Sequence, residues 1–189
     1  MGLPLITKAE YKDYLNITSI NRDNEIEFLI PKVSELVKTY CRRTFIDYYN
    51  FPKVEIHNGG YGEIILAESP LYDIIDFSLS TDYGQIYDTT LEKYVDWVED
   101  DYKIIPIKEA YFSYYLRGYR VEYLAGYDGV PDDLKLAVMD IVEYYMKNNG
   151  AVHVNRDVTP NVTQIQYVAT TNFPAHIKRV LDQYVADYT

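Results

Sequence analysis

The chain of 189 residues has one cysteine, three histidines and one tryptophan, and nowhere does it approach the ~20 consecutive apolar residues that a bilayer-spanning helix needs. Each scarcity removes a class of function. Cys41 has no partner for an internal disulfide, and its place among apolar helical positions marks it as a reduced, structural thiol. His57, His153 and His176 stand far apart, in none of the metal-binding spacings such as His-Glu-x-x-His. No serine sits in a Gly-x-Ser-x-Gly elbow. The stretch MGLPLITKAEYKDYL is charged by its eighth residue, so neither a secretion signal nor membrane insertion is expected.

Positive charge is also short. The 18 Lys and Arg stand against 29 Asp and Glu, a formal charge of -11. A protein that grips duplex DNA does so largely by releasing counterions with Lys and Arg, so tight nucleic-acid binding is disfavoured. Among so many carboxylates, pairs capable of acid-base work arise by chance and single out no catalytic site. An acidic imitation of DNA, made to block a DNA-binding enzyme, is the alternative reading. Such a protein presents carboxylates in long exposed rows, whereas here they are interleaved with aromatic residues.

Tyrosine, by contrast, is abundant. The 22 tyrosines run from Tyr11 to Tyr188, too many for one site. With an apolar body and a polar tip, tyrosine suits surfaces that are wet in one state and buried in another, as protein interfaces are. AT-rich coding favours the same residue, and the two explanations are compatible.

Residues 7–15, TKAEYKDYL, carry Thr7 with Glu10 three positions on, the capping-box pattern for a short helix. Ile26, Leu29, Ile30, Val33, Leu36, Val37 and Tyr40 then trace one face of a helix that ends near Arg43, with Pro31 expected to bend it or to restart it. From Val54 to Tyr123 the period changes to two. Val54–His57 and Glu63–Ala67 flank Asn58-Gly59-Gly60-Tyr61-Gly62 and read as a hairpin, with further strands at Leu71–Leu79, Tyr102–Ile105 and Tyr119–Leu124. Asp96, Glu99, Asp100 and Asp101 lack the alternating ligands and central glycine of a calcium loop and read as a solvated turn.

Gly126 and Gly129 then lead into Pro131, Asp132 and Asp133. No lysine followed by Ser or Thr completes a phosphate loop, and the two aspartates already occupy the positive end of the helix dipole. The stretch is a joint that delivers the chain from a strand into a helix with Leu134, Ala137, Val138, Ile141, Val142 and Tyr145 on its apolar face. Beyond Gly150 the pattern is weak until Phe173-Pro174 opens a last helix; within this arm QIQYVA, at 164–169, has strand character. The arm offers the candidate partner-binding residues Ile165, Tyr167, Phe173, Ile177, Val180, Leu181 and Tyr184.

LITKAEYKDYLNI at 5–17, YCRRTF at 40–45, VEYLAGYDGVPDDLKLAVMDIVEYY at 121–145 and FPAHIKRVLDQY at 173–184 together resemble the head-tail connector proteins of tailed bacteriophages, also called adaptor or head-completion proteins. Ala125, Gly126, Tyr127, Val130, Pro131 and Asp132 match the turn of that family, with Leu124 in place of its threonine. Residues 50–115 depart from it, being longer and richer in tyrosine.

The expected fold is α+β. A mainly helical core, with helices near 7–15, 24–43, 131–148 and 174–186, carries a small antiparallel sheet from residues 54–124. Residues 1–150 would form the core domain, with a β insertion at about 50–124, and residues 151–189 a C-terminal arm and helix. The resemblance implies a structural virion protein without catalysis, cofactor or metal. It further implies a homo-oligomeric ring of twelve subunits under the portal protein, met below by a tail or stopper protein, with genome DNA passing through unbound and no membrane partner. Its place would be the virion neck, reached from the host cytoplasm during assembly.

Overall fold

The computed structural model describes residues 2–147, 154–159, 162–167 and 173–187. Along the chain run α1 (Lys8–Tyr14), α2 (Asp23–Cys41), β1 (Lys53–His57), β2 (Ile64–Ile65), β3 (Leu71–Leu79), β4 (Thr89–Thr90), β5 (Trp97–Asp100), β6 (Lys103–Pro106), β7 (Tyr119–Ala125), α3 (Asp132–Lys147), β8 (Val154–Thr159), β9 (Val162–Tyr167) and α4 (Ala175–Leu181). They divide into a helical unit, Met1–Arg42 with Val130–Val185, and a β unit, Arg43–Gly129 with Ala186–Thr189.

In the helical unit, α1 is too short to persist on its own propensity and is fixed at both levels of its sequence. Thr7 Oγ1 accepts from the Glu10 N–H at 3.2 Å while Glu10 accepts from the Thr7 N–H at 2.7 Å, the reciprocal capping box. Tyr11 is fully buried, and its hydroxyl donates to Glu143 on α3 at 2.9 Å. Burial, then the Glu143 charge, pushes that phenol well above its usual range. Ile26, Ile30, Val33, Val37 and Cys41 are the buried stripe of α2. The helix continues through Pro31, so it does not restart there: one lost backbone bond is outweighed by a stripe buried on both sides of it. Leu134, Ala137, Val138, Ile141 and Val142 are buried on α3 as expected, with Met146 rather than Tyr145 closing the face.

The β unit corrects the expectation of a mainly helical core. Its seven described strands form a four-stranded antiparallel sheet, in the order β1-β7-β3-β4, and a three-stranded one, β2-β6-β5. Between them lies a core of their own, in which Ile64, Leu66, Phe77, Trp97, Ile104 and Val121 are buried. Phe77 sits at its centre, edge-on to Trp97 at 5.7 Å and to Phe112 at 5.8 Å. The expected hairpin at 54–67 is also absent, because β1 pairs with β7 and β2 with β6. The glycine stretch between them is a crossover from one sheet to the other. The expected solvated turn contains β5, where Trp97 supplies the apolar anchor and two of the carboxylates find protein partners, Asp96 accepting from Lys108 at 2.6 Å and Glu99 pairing with Lys93, while Asp100 and Asp101 are exposed at the turn itself.

The joint at Gly126 has a steric cause. Its φ of +105° is in the left-handed region, its N–H donates to the Pro70 carbonyl at 2.8 Å, and a Cβ there would lie 2.0 Å from the Phe45 carbonyl oxygen. The adjacent Tyr127 N–H donates to that same Phe45 oxygen at 2.7 Å. The backbones are therefore bound to each other, with no opening for a phosphate.

One charged cluster is built into the β unit. Glu55 accepts from the Tyr123 hydroxyl at 2.5 Å, pairs with Lys53 at 3.0 Å and meets His57 at 3.1 Å, while Glu68 accepts from the Thr44 N–H at 3.1 Å and from Lys53 at 3.4 Å. Burial alone would raise the Glu55 carboxyl, but the donors from His57, Tyr123 and Lys53 outweigh it and hold the group at about 2, against a usual 4.5. A depressed carboxyl stabilises the fold fully above the unfolded value and loses that contribution as pH falls from 4.5 towards 2. In melting curves at pH 7 and pH 3, Glu55→Gln should therefore lie well below the parent at pH 7, and the gap should narrow at pH 3. A gap that stays constant would remove Glu55 as the cause.

Candidate assembly surface

A β-strand alternates its side chains, so the four-stranded sheet has two faces. Tyr119, Val121, Tyr123 and Ala125 of β7 point into the core, and Arg120, Glu122 and Leu124 point out. Register places Val54 and Ile56 of β1 and Asp76 of β3 beside them on the outer face. Two irregularities in β3, between Leu71 and Asp73 and between Ile74 and Asp76, put Tyr72 and Ile75 into the open. Arg120 lies across this face, 3.0 Å from Asp76 and 2.8 Å from Glu122. Around that network Val54, Ile56, Tyr72 and Ile75 are 46, 44, 61 and 52% exposed, with the Tyr72 ring packed on Tyr49 at 5.0 Å, which leaves a partly open apolar surface.

A second surface lies where β1 and β3 end and β7 begins. Three loops meet there. The Gly59 N–H donates to the Tyr115 carbonyl at 3.0 Å, Gly60 to Phe112 at 2.7 Å, and Phe112 back to Tyr61 at 2.9 Å. Asn58 Oδ1 accepts from the Arg117 N–H at 2.7 Å, and the Tyr87 hydroxyl donates to the Arg117 carbonyl at 2.7 Å. Gly59 is required by contact alone, since a Cβ would stand 1.9 Å from the Ser113 carbonyl oxygen. Asp82 accepts from the Gln85 and Ile86 N–H groups, each at 3.0 Å, and closes the third loop. This cross-bonded base displays Tyr61, Tyr83, Ile86, Tyr111, Tyr114 and Leu116, all exposed. Tyrosines carried on Gly, Ser and Asn loops at one end of a two-sheet unit are the composition of recognition loops, where rigid aromatic area is gained at small entropic cost.

Charge is unevenly divided. The β unit holds 7 basic and 17 acidic residues and the helical unit 11 and 12, which together make the 18 and 29 of the chain. Nearly all of the negative excess therefore belongs to the β unit.

The residues expected to bind a partner fall into two groups. Ile177 and Leu181 are buried inside the helical unit, where α4 packs on α2 and α3, and the Cys41 thiol lies 3.7 Å from the Leu181 carbonyl. Phe173 sets its ring edge-on to Tyr40 at 5.2 Å, and the half-buried Tyr184 donates to Asp133 at 2.6 Å. Val180 is half-buried on the same short helix. Ile165 and Tyr167 belong to β9, which pairs with β8 in a separate two-stranded sheet, Tyr167 opposite Val154 and Ile165 opposite Arg156. The aromatic loop tip and the outer sheet face have no sequence signature beyond the run of tyrosines in 50–115.

His57 is engaged by Glu55, His176 is exposed on α4, and His153 lies outside the described residues. Among the described residues no group of His, Cys, Asp and Glu is arranged to hold a metal ion, and no helix is long and apolar enough to cross a membrane.

Three solved chains with a similar fold come from gene transfer agent particles. A chain in the neck of an empty gene transfer agent particle, computed with C6 symmetry, superposes with a TM-score of 0.62 at 16% identity over 98% of this chain and 91% of that one. A chain from the virion of a native gene transfer agent particle gives 0.63 at 12% identity over 98% and 91%, and one from the neck of a native particle, computed with C12 symmetry, gives 0.58 at 12% over 100% and 97%. No curated protein matches the chain. The family model described as head completion protein matches residues 4–186, almost end to end. With that match spanning both units and both candidate surfaces, the chain belongs to the head completion protein family.

Proposed function

We propose that this chain is a head-tail adaptor, a structural protein of the virion neck that forms a ring under the portal and joins the DNA-filled head to the tail. The observation that carries the reading is the family match over residues 4–186. The likeness in fold to neck chains computed with C6 and C12 symmetry supports a ring, and twelve copies fit both symmetries. The ring's partners are the portal above and a tail or stopper protein below. Its formal charge of -11 suits a conduit that genome DNA passes without adhering. Mimicry of DNA is less well supported, because Asp76, Glu122, Glu55, Asp96 and Glu99 are each paired with a Lys or Arg rather than left in open rows.

The portal contact is assigned to the β8–β9 hairpin, with Ile165 and Tyr167, and to Phe173 at the start of the last segment. Because Ile177 and Leu181 are spent on the helical unit, a chain cut at Gly150 should lose stability along with any partner contact. Replacing 151–172 by a short Gly/Ser linker separates the two effects. That variant should keep the parent's melting temperature and fail to join portal-bearing heads. If it joins them normally, the hairpin is not the portal contact. For the adaptor reading as a whole, cells lacking the chain should accumulate filled heads and free tails that purified chain rejoins; normal particles from such cells would refute it.

A further inference from the structure

We infer that Asn58 is a deamidation site that the folded loop tip keeps shut, so that it converts to aspartate or isoaspartate only in chains whose tip has opened. Asn-Gly occurs at 58–59 and again at 149–150, the second outside the described residues. The pair is reactive for a steric reason. Glycine places no side chain in the way of its own backbone nitrogen, which can therefore reach the carbonyl carbon of the asparagine side chain. In that step the Gly59 nitrogen bonds to Asn58 Cγ and the Cγ–Nδ2 bond breaks, and the proton lost from Gly59 leaves with Nδ2 as ammonia. Water then opens the cyclic imide at either of its carbonyls, giving aspartate or isoaspartate. No oxidant, reductant or second protein takes part.

Water reaches the site, since Asn58 is exposed; what the fold withholds is the approach. The buried Gly59 donates its N–H to the Tyr115 carbonyl at 3.0 Å, and Asn58 Oδ1 accepts from the Arg117 N–H at 2.7 Å. Nucleophile and electrophile are thus each held by a different backbone group. Gly59 also lies so close to Ser113 that a Cβ would stand 1.9 Å from its carbonyl oxygen, and Gly60 donates to the Phe112 carbonyl at 2.7 Å. Turning the Gly59 nitrogen to the ~3–3.5 Å at which bond formation starts therefore breaks the bonds to Phe112, Tyr115 and Arg117 first. The rate then follows the fraction of time the tip is open. Isoaspartate lengthens the backbone by one carbon at a point where Gly59 has no slack. A chain carrying it cannot re-form the cross-bonds that display Tyr61 and Tyr114.

Peptide mass spectrometry of the full chain, kept at neutral pH either folded or in guanidinium chloride, reads each Asn-Gly pair separately. In denaturant Asn58 and Asn149 should convert at similar rates, and folding should slow Asn58 by about a hundredfold or more. Phe112→Leu thins the packing under the tip, where the Phe112 ring lies 5.8 Å from Phe77 and 5.1 Å from Tyr119. With circular dichroism unchanged, it should speed conversion of Asn58 in the folded chain about tenfold. Should that variant fail to fold, Tyr87→Phe removes only the hydroxyl that donates to the Arg117 carbonyl and should act in the same direction. An Asn58 that stays intact in denaturant while Asn149 reacts would overturn the site itself. Conversion in the folded chain within about tenfold of the denatured rate would overturn the protection. A folded tip variant with the parent's rate would overturn its assignment to these bonds.

Discussion

Val138→Asp should leave the chain without a cooperative melt and largely insoluble. Val138 is fully buried on α3, flanked by Leu134, Ile141 and Val142, which are 0, 1 and 0% exposed. A carboxylate there has neither water nor a designed partner, and burying it costs several kcal/mol, comparable with the ~5–15 kcal/mol that holds a whole domain together. Val138→Ala separates charge from packing, because it removes methyl groups alone and should cost about 2 kcal/mol. Thermal unfolding followed by circular dichroism reads both. If the aspartate variant melted within a few degrees of the parent, α3 would not be the centre of the helical unit.

Gly126→Val should be comparably severe in the β unit. At φ of +105° a β-branched residue is strained by about 1–3 kcal/mol before any contact is considered. The added Cβ would also stand 2.0 Å from the Phe45 carbonyl oxygen, a backbone atom that cannot rotate aside and that already accepts from Tyr127. The expected result is a loss above about 4 kcal/mol, read as a large fall in the urea midpoint. Gly129→Ala is the control, since nothing lies within 4 Å of a Cβ there and its φ is not in the left-handed region; it should change little. Equal effects at the two glycines would mean that the joint is not held by this close approach.

How much of this could be read from the sequence depended on how far each pattern extended. The stripes of α2 and α3 repeat over several turns, and β7 alternates long enough to show a face, so these elements, and the long strand β3, lie where expected. The capping box at Thr7 and Glu10 is a local signal with a local cause, and it too was legible. β2 and β4 have two residues each, and β5 is Trp-Val-Glu-Asp; no period fits in such lengths, so the second core leaves no pattern in the sequence and the helical stripes dominate it. The false hairpin at 54–67 had the same origin, because glycines that permit a tight turn also permit a crossover pressed against another loop.

The candidate surfaces are less legible still. Tyr11, Tyr119 and Tyr123 are buried, and Tyr61, Tyr83, Tyr111 and Tyr114 are exposed, yet all are written alike. The difference follows from pairing across the sheet: the outward alternation of β7 and the irregularities of β3 decide which side chains face out, and both depend on strands far apart in sequence. Ile177 and Leu181 show the same limit from the other side. An amphipathic stripe shows that a face is buried, not whether the chain or a neighbour buries it, and here its own helical unit does.

The central claim, that this chain is a ring-forming component of the neck, is tested most directly by averaged electron microscopy of purified particles. The fold of both units should be found as a ring, twelve copies around the channel, between the portal and the first tail ring. Particles whose neck holds no density for this fold, or whose mass spectra lack the chain altogether, would contradict it.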